Sequence, residues 1–139
     1  FVAGFIGSPP MNFLDGTISA DNGELRFRRP EANLNLVIDG AHRQAVESYA
    51  GKRIILGIRP EHFLANPAQQ AVEGKSVTAK VEVVEPMGSE IYLHLDVGGQ
   101  PVTARINTDR EPEVNKAHVL NVDMQHVHFF DPDSDTTLT

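Results

Sequence analysis

The stretch Val77-Thr78-Ala79-Lys80-Val81-Glu82-Val83, followed by Ile91-Tyr92-Leu93-His94-Leu95-Asp96-Val97, decides the fold class of this chain. In both runs apolar and polar residues alternate with a period of two, which turns one set of side chains to a core and the other to solvent. Val77, Ala79, Val81 and Val83 share the first apolar face; Ile91, Leu93, Leu95 and Val97 share the second, with Tyr92, His94 and Asp96 pointing away. Between the runs Pro86 brings no N–H to a ladder and Gly88 eases a turn, so the first strand is expected to break there. Gly98-Gly99 is tight-hairpin chemistry, and Val102, Ala104 and Ile106 form the return strand.

The same period extends upstream. Leu14, Gly16, Ile18 and Ala20 alternate with Phe13, Asp15, Thr17 and Ser19, and Asp21-Asn22-Gly23 then supplies a turn that tolerates positive φ. Leu25 and Phe27 alternate with Arg26 and Arg28, and Leu34, Leu36 and Ile38 follow before Asp39-Gly40. Residues 41–50 lack alternation and read as a short helix or a structured loop, while residues 53–58 form an apolar strand. Residues 66–74 and 107–116 read as polar surface loops, and strands are expected near 119–124 and 127–130. The sum is about eight short strands at hairpin spacing with one or two short helices, a pattern that predicts a mainly β protein built as a small closed or partly closed β-barrel.

At the front, Phe1, Val2, Phe5 and Ile6 fall at helical spacing until Gly7-Ser8-Pro9-Pro10 stops them. Residues 1–10 therefore read as the end of a linker helix that begins outside this sequence, which also lacks an initial Met. Residues 11–130 read as the barrel domain and 131–139 as a flexible acidic tail.

Composition narrows the function classes. With 40% hydrophobic and 22% charged residues, the 139-residue chain has the make-up of one globular domain rather than a disordered segment. The absence of Cys removes disulfide scaffolds, thiolate metal sites and cysteine nucleophiles, and fits a reducing cytoplasm. A net charge of −7, two Tyr and no Trp disfavour nucleic-acid binding, which needs a basic groove with stacking aromatics. No apolar run approaches the roughly 18–20 residues that cross a bilayer, so direct membrane insertion is not expected.

Several short patterns carry little chemistry. Gly74-Lys75-Ser76 has the ending of a phosphate-binding loop, but position 69 is Gln where that loop needs Gly, and a β-type segment follows. Asp131, Asp133 and Asp135 have the spacing that opens a calcium loop, yet position 136 is Thr where Gly is required. His126 and His128 share a strand face without a third ligand in sequence, so no metal is assigned. Glu82, Glu85 and Glu90 are carboxylates in an acidic protein, and no Ser or Thr stands in a nucleophile motif. Neither a catalytic residue nor a cofactor is expected in this chain.

Gly57-Ile58-Arg59-Pro60-Glu61-His62 has sharper local physics. Gly57 within an apolar strand signals a bulge or a close approach, and Pro60 suits the first position of a helical turn, with Glu61 complementing its N-terminal end. The local reading is a corner at a strand end with Arg59 and Glu61 held by nearby pairing. A binding role for Arg59 needs an anion within bidentate reach.

Met11-Asn12-Phe13-Leu14-Asp15-Gly16, the Gly57–His62 block, Glu85-Pro86-Met87-Gly88-Ser89-Glu90 and Val127-His128-Phe129-Phe130-Asp131-Pro132, in this order, resemble the transport-associated OB-like (TOBE) regulatory domain that follows the ATPase core in ATP-binding subunits of ABC importers for sugars or glycerol phosphate. The resemblance spans nearly the whole chain. It implies an OB-like barrel, a homodimer through that barrel, and contact candidates at Arg59, Glu61, His62, Glu85, Gly88, Ser89 and Glu90. It further implies a parent ATPase domain that holds ATP and Mg, transporter membrane subunits as partners, regulatory proteins received in some members, and a place at the inner face of the cell membrane. The phosphate loop and the other ATPase motifs are not in these residues, so ATP hydrolysis is expected of the parent polypeptide. An OB-like domain that senses an oxyanion or metabolite is the alternative.

Overall fold

In the computed structural model, residues 10–134 and 136–139 are described; the apolar stripe Phe1, Val2, Phe5, Ile6 lies outside them. Among the described residues there are ten strands: β1 Asn12–Asp21, β2 Glu24–Arg29, β3 Leu34–Ile38, β4 Arg53–Ile58, β5 Phe63–Ala65, β6 Ser76–Met87, β7 Glu90–Val97, β8 Gln100–Ile106, β9 Ala117–Val122 and β10 His128–Phe130. One α-helix, α1 Gly40–Val46, and three 3-10 turns complete the described elements. The helix falls where alternation is lost, and β5, three residues long, is too short for a period-two signal to show.

The strands form two antiparallel five-stranded sheets with orders β10-β4-β1-β2-β3 and β5-β9-β6-β7-β8. Their inward residues make one core, with Phe27, Phe129, Leu56, Leu36, Leu93 and Leu120 at 0% exposure. Two seams join the sheets. Along one, the Val37 N–H donates to the Gly74 carbonyl (2.9 Å) and β3 packs on β6. Along the other, Asn12 of β1 meets Thr103 of β8: the Thr103 N–H donates to Asn12 Oδ1 (2.8 Å) and Asn12 Nδ2 donates to the Thr103 carbonyl (2.8 Å). Strands β1, β2, β3, β6, β7 and β8 thus close into a ring, the OB-like barrel that the strand pattern predicts.

A buried arginine braces the same seam. Arg29, 7% exposed, donates to the carbonyls of Asp15 (3.0 Å), Val97 (3.2 Å) and Gly98 (2.7 Å). Gly98 sits at φ +59°, and a Cβ there would lie 2.7 Å from Ala32 N, so the β7–β8 turn packs directly on the 3-10 turn Pro30–Ala32.

Two expectations are corrected. Val83 is 48% exposed, not on the inward face with Val81: pairing runs Val81 to Leu95 and then Val83 to His94. The extra residue makes a bulge, and Val84 takes the inward place. Pro86 does not break β6, which continues to Met87. Met87 and Glu90 flank the two-residue turn, so the next pair, Pro86 opposite Ile91, is a non-bonded one and the proline nitrogen faces an edge that β9, paired only as far as Lys80, leaves open. Residues 131–139, expected as a flexible acidic tail, make several hydrogen bonds in their described part. The Leu138 N–H donates to the Phe129 carbonyl (2.7 Å), the Asp131 N–H to the Thr136 carbonyl (2.9 Å), and the Tyr49 hydroxyl to Asp131 Oδ2.

Candidate regulatory and interface site

The Arg59–His62 corner is built by chain geometry. Strand β4 ends at Ile58, Arg59 is extended at φ −72°, ψ 148°, and Pro60 opens a 3-10 turn over Pro60–His62 that the His62 N–H closes on the Arg59 carbonyl (2.9 Å). Pro60 is buried and the turn packs against β8, whereas Arg59 and Glu61 are exposed and make no side-chain hydrogen bond or ion pair among the described residues. The nearby pairing expected to hold Arg59 and Glu61 is therefore absent among them. Gly57 is a close approach rather than a bulge: its pairing with Phe13 and His128 is regular, and a Cβ on it would lie 2.6 Å from Met11 Sδ and 2.8 Å from Phe130 Cε1.

His62 is held by residues that the sequence reading did not connect with it. Its ring stacks on His126 with centroids 4.8 Å apart and planes at 20°, and His126 Nδ1 lies 2.7 Å from Asp123 Oδ2. The Asp123 N–H donates to the His62 carbonyl (2.9 Å), while His62 Nδ1 is buried without a hydrogen-bond partner among the described residues. The turn after β9 is thus the backing of the corner. His42, from α1, reaches the same turn through Nε2 and the Gln125 carbonyl at 3.3 Å. These histidines do not converge on a metal site: among the described residues no group of three His, Cys, Asp or Glu is placed to hold a metal ion.

The second candidate region is a projecting two-stranded arm. Glu85 and Glu90 lie on β6 and β7, and Gly88-Ser89 makes the turn, with Gly88 at φ +71°. Glu85 Oε1 meets His94 Nε2 at 2.5 Å, and Glu90 Oε1 lies 3.7 Å from Arg105 Nε. Val83 and Met87, 48% and 51% exposed, give this arm an apolar surface between carboxylates. The arm and the Arg59–His62 corner both adjoin β8, one through β7 and the other by packing, but no hydrogen bond or ion pair joins them among the described residues.

A cleft of about 600 Å³ lies elsewhere, between residues 65–69 and 107–118. Arg110 and Lys116 face it together with Asp109, Glu111 and Glu113, and burial pushes the His118 imidazole below its ordinary pKa. Gln69 forms part of its wall with its amide fully engaged, since the Val119 N–H donates to Oε1 (2.9 Å) and Nε2 donates to the Val119 carbonyl (3.0 Å). None of the seven contact candidates lines this cleft.

The MalK OB fold domain matches residues 7–63 and the TOBE domain matches residues 56–130, and the chain belongs to the TOBE domain family. It is similar to the trehalose/maltose import ATP-binding protein MalK of Thermococcus litoralis, 41% identical over 94% of this chain and 35% of that protein. It is similar also to an uncharacterized ABC transporter ATP-binding protein, YurJ, of Bacillus subtilis, 37% identical over 97% of this chain and 37% of the relative. The sulfoquinovosyl glycerol transport ATP-binding protein SmoE of Agrobacterium fabrum is 33% identical over 99% of this chain and 36% of its own length. The chain thus spans about a third of the length of these relatives. Among solved structures, the cytoplasmic molybdate-binding protein ModG superposes with a TM-score of 0.64 over 87% of this chain and 96% of that one; at 14% identity this shows a shared fold. No helix among the described residues is long and apolar enough to cross a membrane.

Proposed function

We propose that this chain is the regulatory and dimerisation domain of the ATP-binding subunit of an ABC importer for a sugar or a glycerol-linked sugar. The observation that carries the reading is its two-part match, MalK OB fold followed by TOBE, within relatives named as import and transport ATP-binding proteins of about three times its length. The remaining two thirds of the parent polypeptide is then the ATPase, holding ATP and Mg and seated on membrane subunits at the inner face of the membrane, and this domain follows it. The domain does no chemistry of its own. It keeps two subunits together through the barrel while their ATPase domains open and close, and offers the Arg59–His62 corner and the Glu85–Glu90 arm as contact points. Exposure of Arg59 and Glu61, free of other partners among the described residues, and of Met87 supports that use.

The test is deletion in the parent. Removing residues 11–139 from the full subunit should weaken its dimer and uncouple its ATPase rate from regulators. A truncated subunit that dimerises and responds unchanged contradicts the proposal.

A further inference from the structure

Strand parity sends Asn12, Leu14 and Ile18 inward, so Met11 and Phe13 face outward from β1. On β4, Ile55 and Gly57 face outward beside them, and on β10 so do His128 and Phe130. The rings of Phe13 and Phe130 meet edge-on, centroids 5.5 Å apart at 72°, over the gap that Gly57 leaves by having no side chain. Phe13 remains 52% exposed. This aromatic patch is rigid: Asn12, between Met11 and Phe13, is bonded to the Ile58 carbonyl (3.0 Å) and twice to Thr103 (2.8 Å each).

We propose that the Met11–Phe13–Phe130 patch is the surface on which the preceding domain of the same polypeptide seats an apolar face. The proposal rests on the reading that the parent is a longer ATP-binding subunit. Two observations select this occupant. The patch lies where β1 begins, so a domain joined ahead of Met11 is tethered beside it at high effective concentration. The relatives carry about two thirds of their length beyond the part matched here, which supplies such a domain. Size agrees with a tethered contact: a Phe side chain buries about 200 Å² at most, so two partly covered rings and a thioether offer a few hundred Å². That is well below the roughly 800 Å² per partner of a stable free dimer.

The test reads Met11 in the unsubstituted protein. Peroxide oxidation of Met11 is followed by peptide mass in this chain alone and in the full-length parent subunit. Met11 is expected to oxidise about tenfold more slowly in the full subunit than in this chain at equal protein concentration. Equal Met11 rates in the two forms overturn the proposal. A Phe13→Cys variant, in a chain with no native cysteine, gives a second readout by maleimide labelling at position 13. Protection present in the full subunit and independent of dilution is expected; protection already present in this chain alone and lost on dilution means that a second copy covers the patch, which overturns it. The dimerisation test above has its own readout: a parent whose truncated form still dimerises but whose full-length form shields Met11 sinks the functional reading alone, and the reverse result sinks this proposal alone.

Discussion

Asn12 and Thr103 are joined as if Asn12 were one rung of a neighbouring strand: its carboxamide accepts from the Thr103 N–H and donates to the Thr103 carbonyl, both at 2.8 Å, across 91 residues of sequence. Its Nδ2 also reaches the Ile58 carbonyl, so one short side chain ties β1, β4 and β8 together. Gln69 does the same for Val119 at the end of β5. Both sheets are therefore extended by side-chain amides at points where the backbone ladder stops.

Asn12→Ala should open the β1–β8 seam. Three hydrogen bonds of ordinary net worth, partly replaced by water, put the loss at about 2 kcal/mol. Asn12→Asp should be worse at neutral pH, because it keeps the acceptor but turns a second oxygen toward the Ile58 and Thr103 carbonyls. Urea unfolding of the two variants checks both the size and the order.

Arg29→Met should destabilise by about 2–4 kcal/mol, since it strips donors from one buried and two part-buried carbonyls on two strands and a turn. Arg29→Lys should recover little. A single ammonium cannot span the Asp15, Val97 and Gly98 carbonyls as the planar guanidinium does. Thermal melts of the pair decide it, and full rescue by lysine would show that charge rather than fork geometry matters.

Gly16→Ala and Gly57→Ala should differ. A Cβ on Gly16 meets the Arg28 carbonyl oxygen at 2.6 Å and the Phe27 ring at 2.5 Å, both fixed, so a loss of about 3 kcal/mol is expected. On Gly57 the nearest atom is Met11 Sδ at 2.6 Å, the end of a flexible side chain, and the loss should stay near about 1 kcal/mol while the Phe130 ring shifts. Denaturant midpoints measured side by side give the order.

The link between Tyr49 and Asp131 should make the anchoring of residues 131–139 depend on pH at both extremes. The Tyr49 hydroxyl, aided by the N–H groups of Ser134 and Asp133, holds the Asp131 carboxyl below its usual 3.8, and Asp131 in turn raises the phenol above its usual 10.0. A lowered carboxylate contributes stability that is complete above 3.8 and lost as pH falls through the lowered value; a raised phenol contributes below 10.0 and loses it as pH rises through the raised one. The stability difference between the wild type and Tyr49→Phe should be flat between these limits and shrink outside them. A difference that changes across neutral pH would contradict this assignment.

The strands with long alternation, such as Leu34 to Ile38 and Ile91 to Val97, were legible because a period of two survives any tertiary context that buries one face. The Asn22-Gly23 and Gly98-Gly99 turns were legible because all four residues sit at positive φ. The bulge between Val81 and Val83 was not, since no residue there marks it and the apolar pattern runs on through Val83. Pro86 misled because its cost depends on which edge its nitrogen faces, and that follows from the register of the turn. The Arg59–His62 corner was legible as a Pro60-led turn, but its backing by Asp123 and His126 was hidden by sequence distance. The same distance hid Arg29, whose Val97 partner is 68 residues away.

The most direct test of the central claim is the solution mass of this chain, measured by light scattering across a wide range of concentration. The account predicts a mass that rises with concentration from 15.2 kDa toward twice that value, and that Arg59→Glu or Met87→Glu holds at the lower one. A mass fixed at 15.2 kDa at every concentration, with a full subunit that dimerises equally well without residues 11–139, would contradict it.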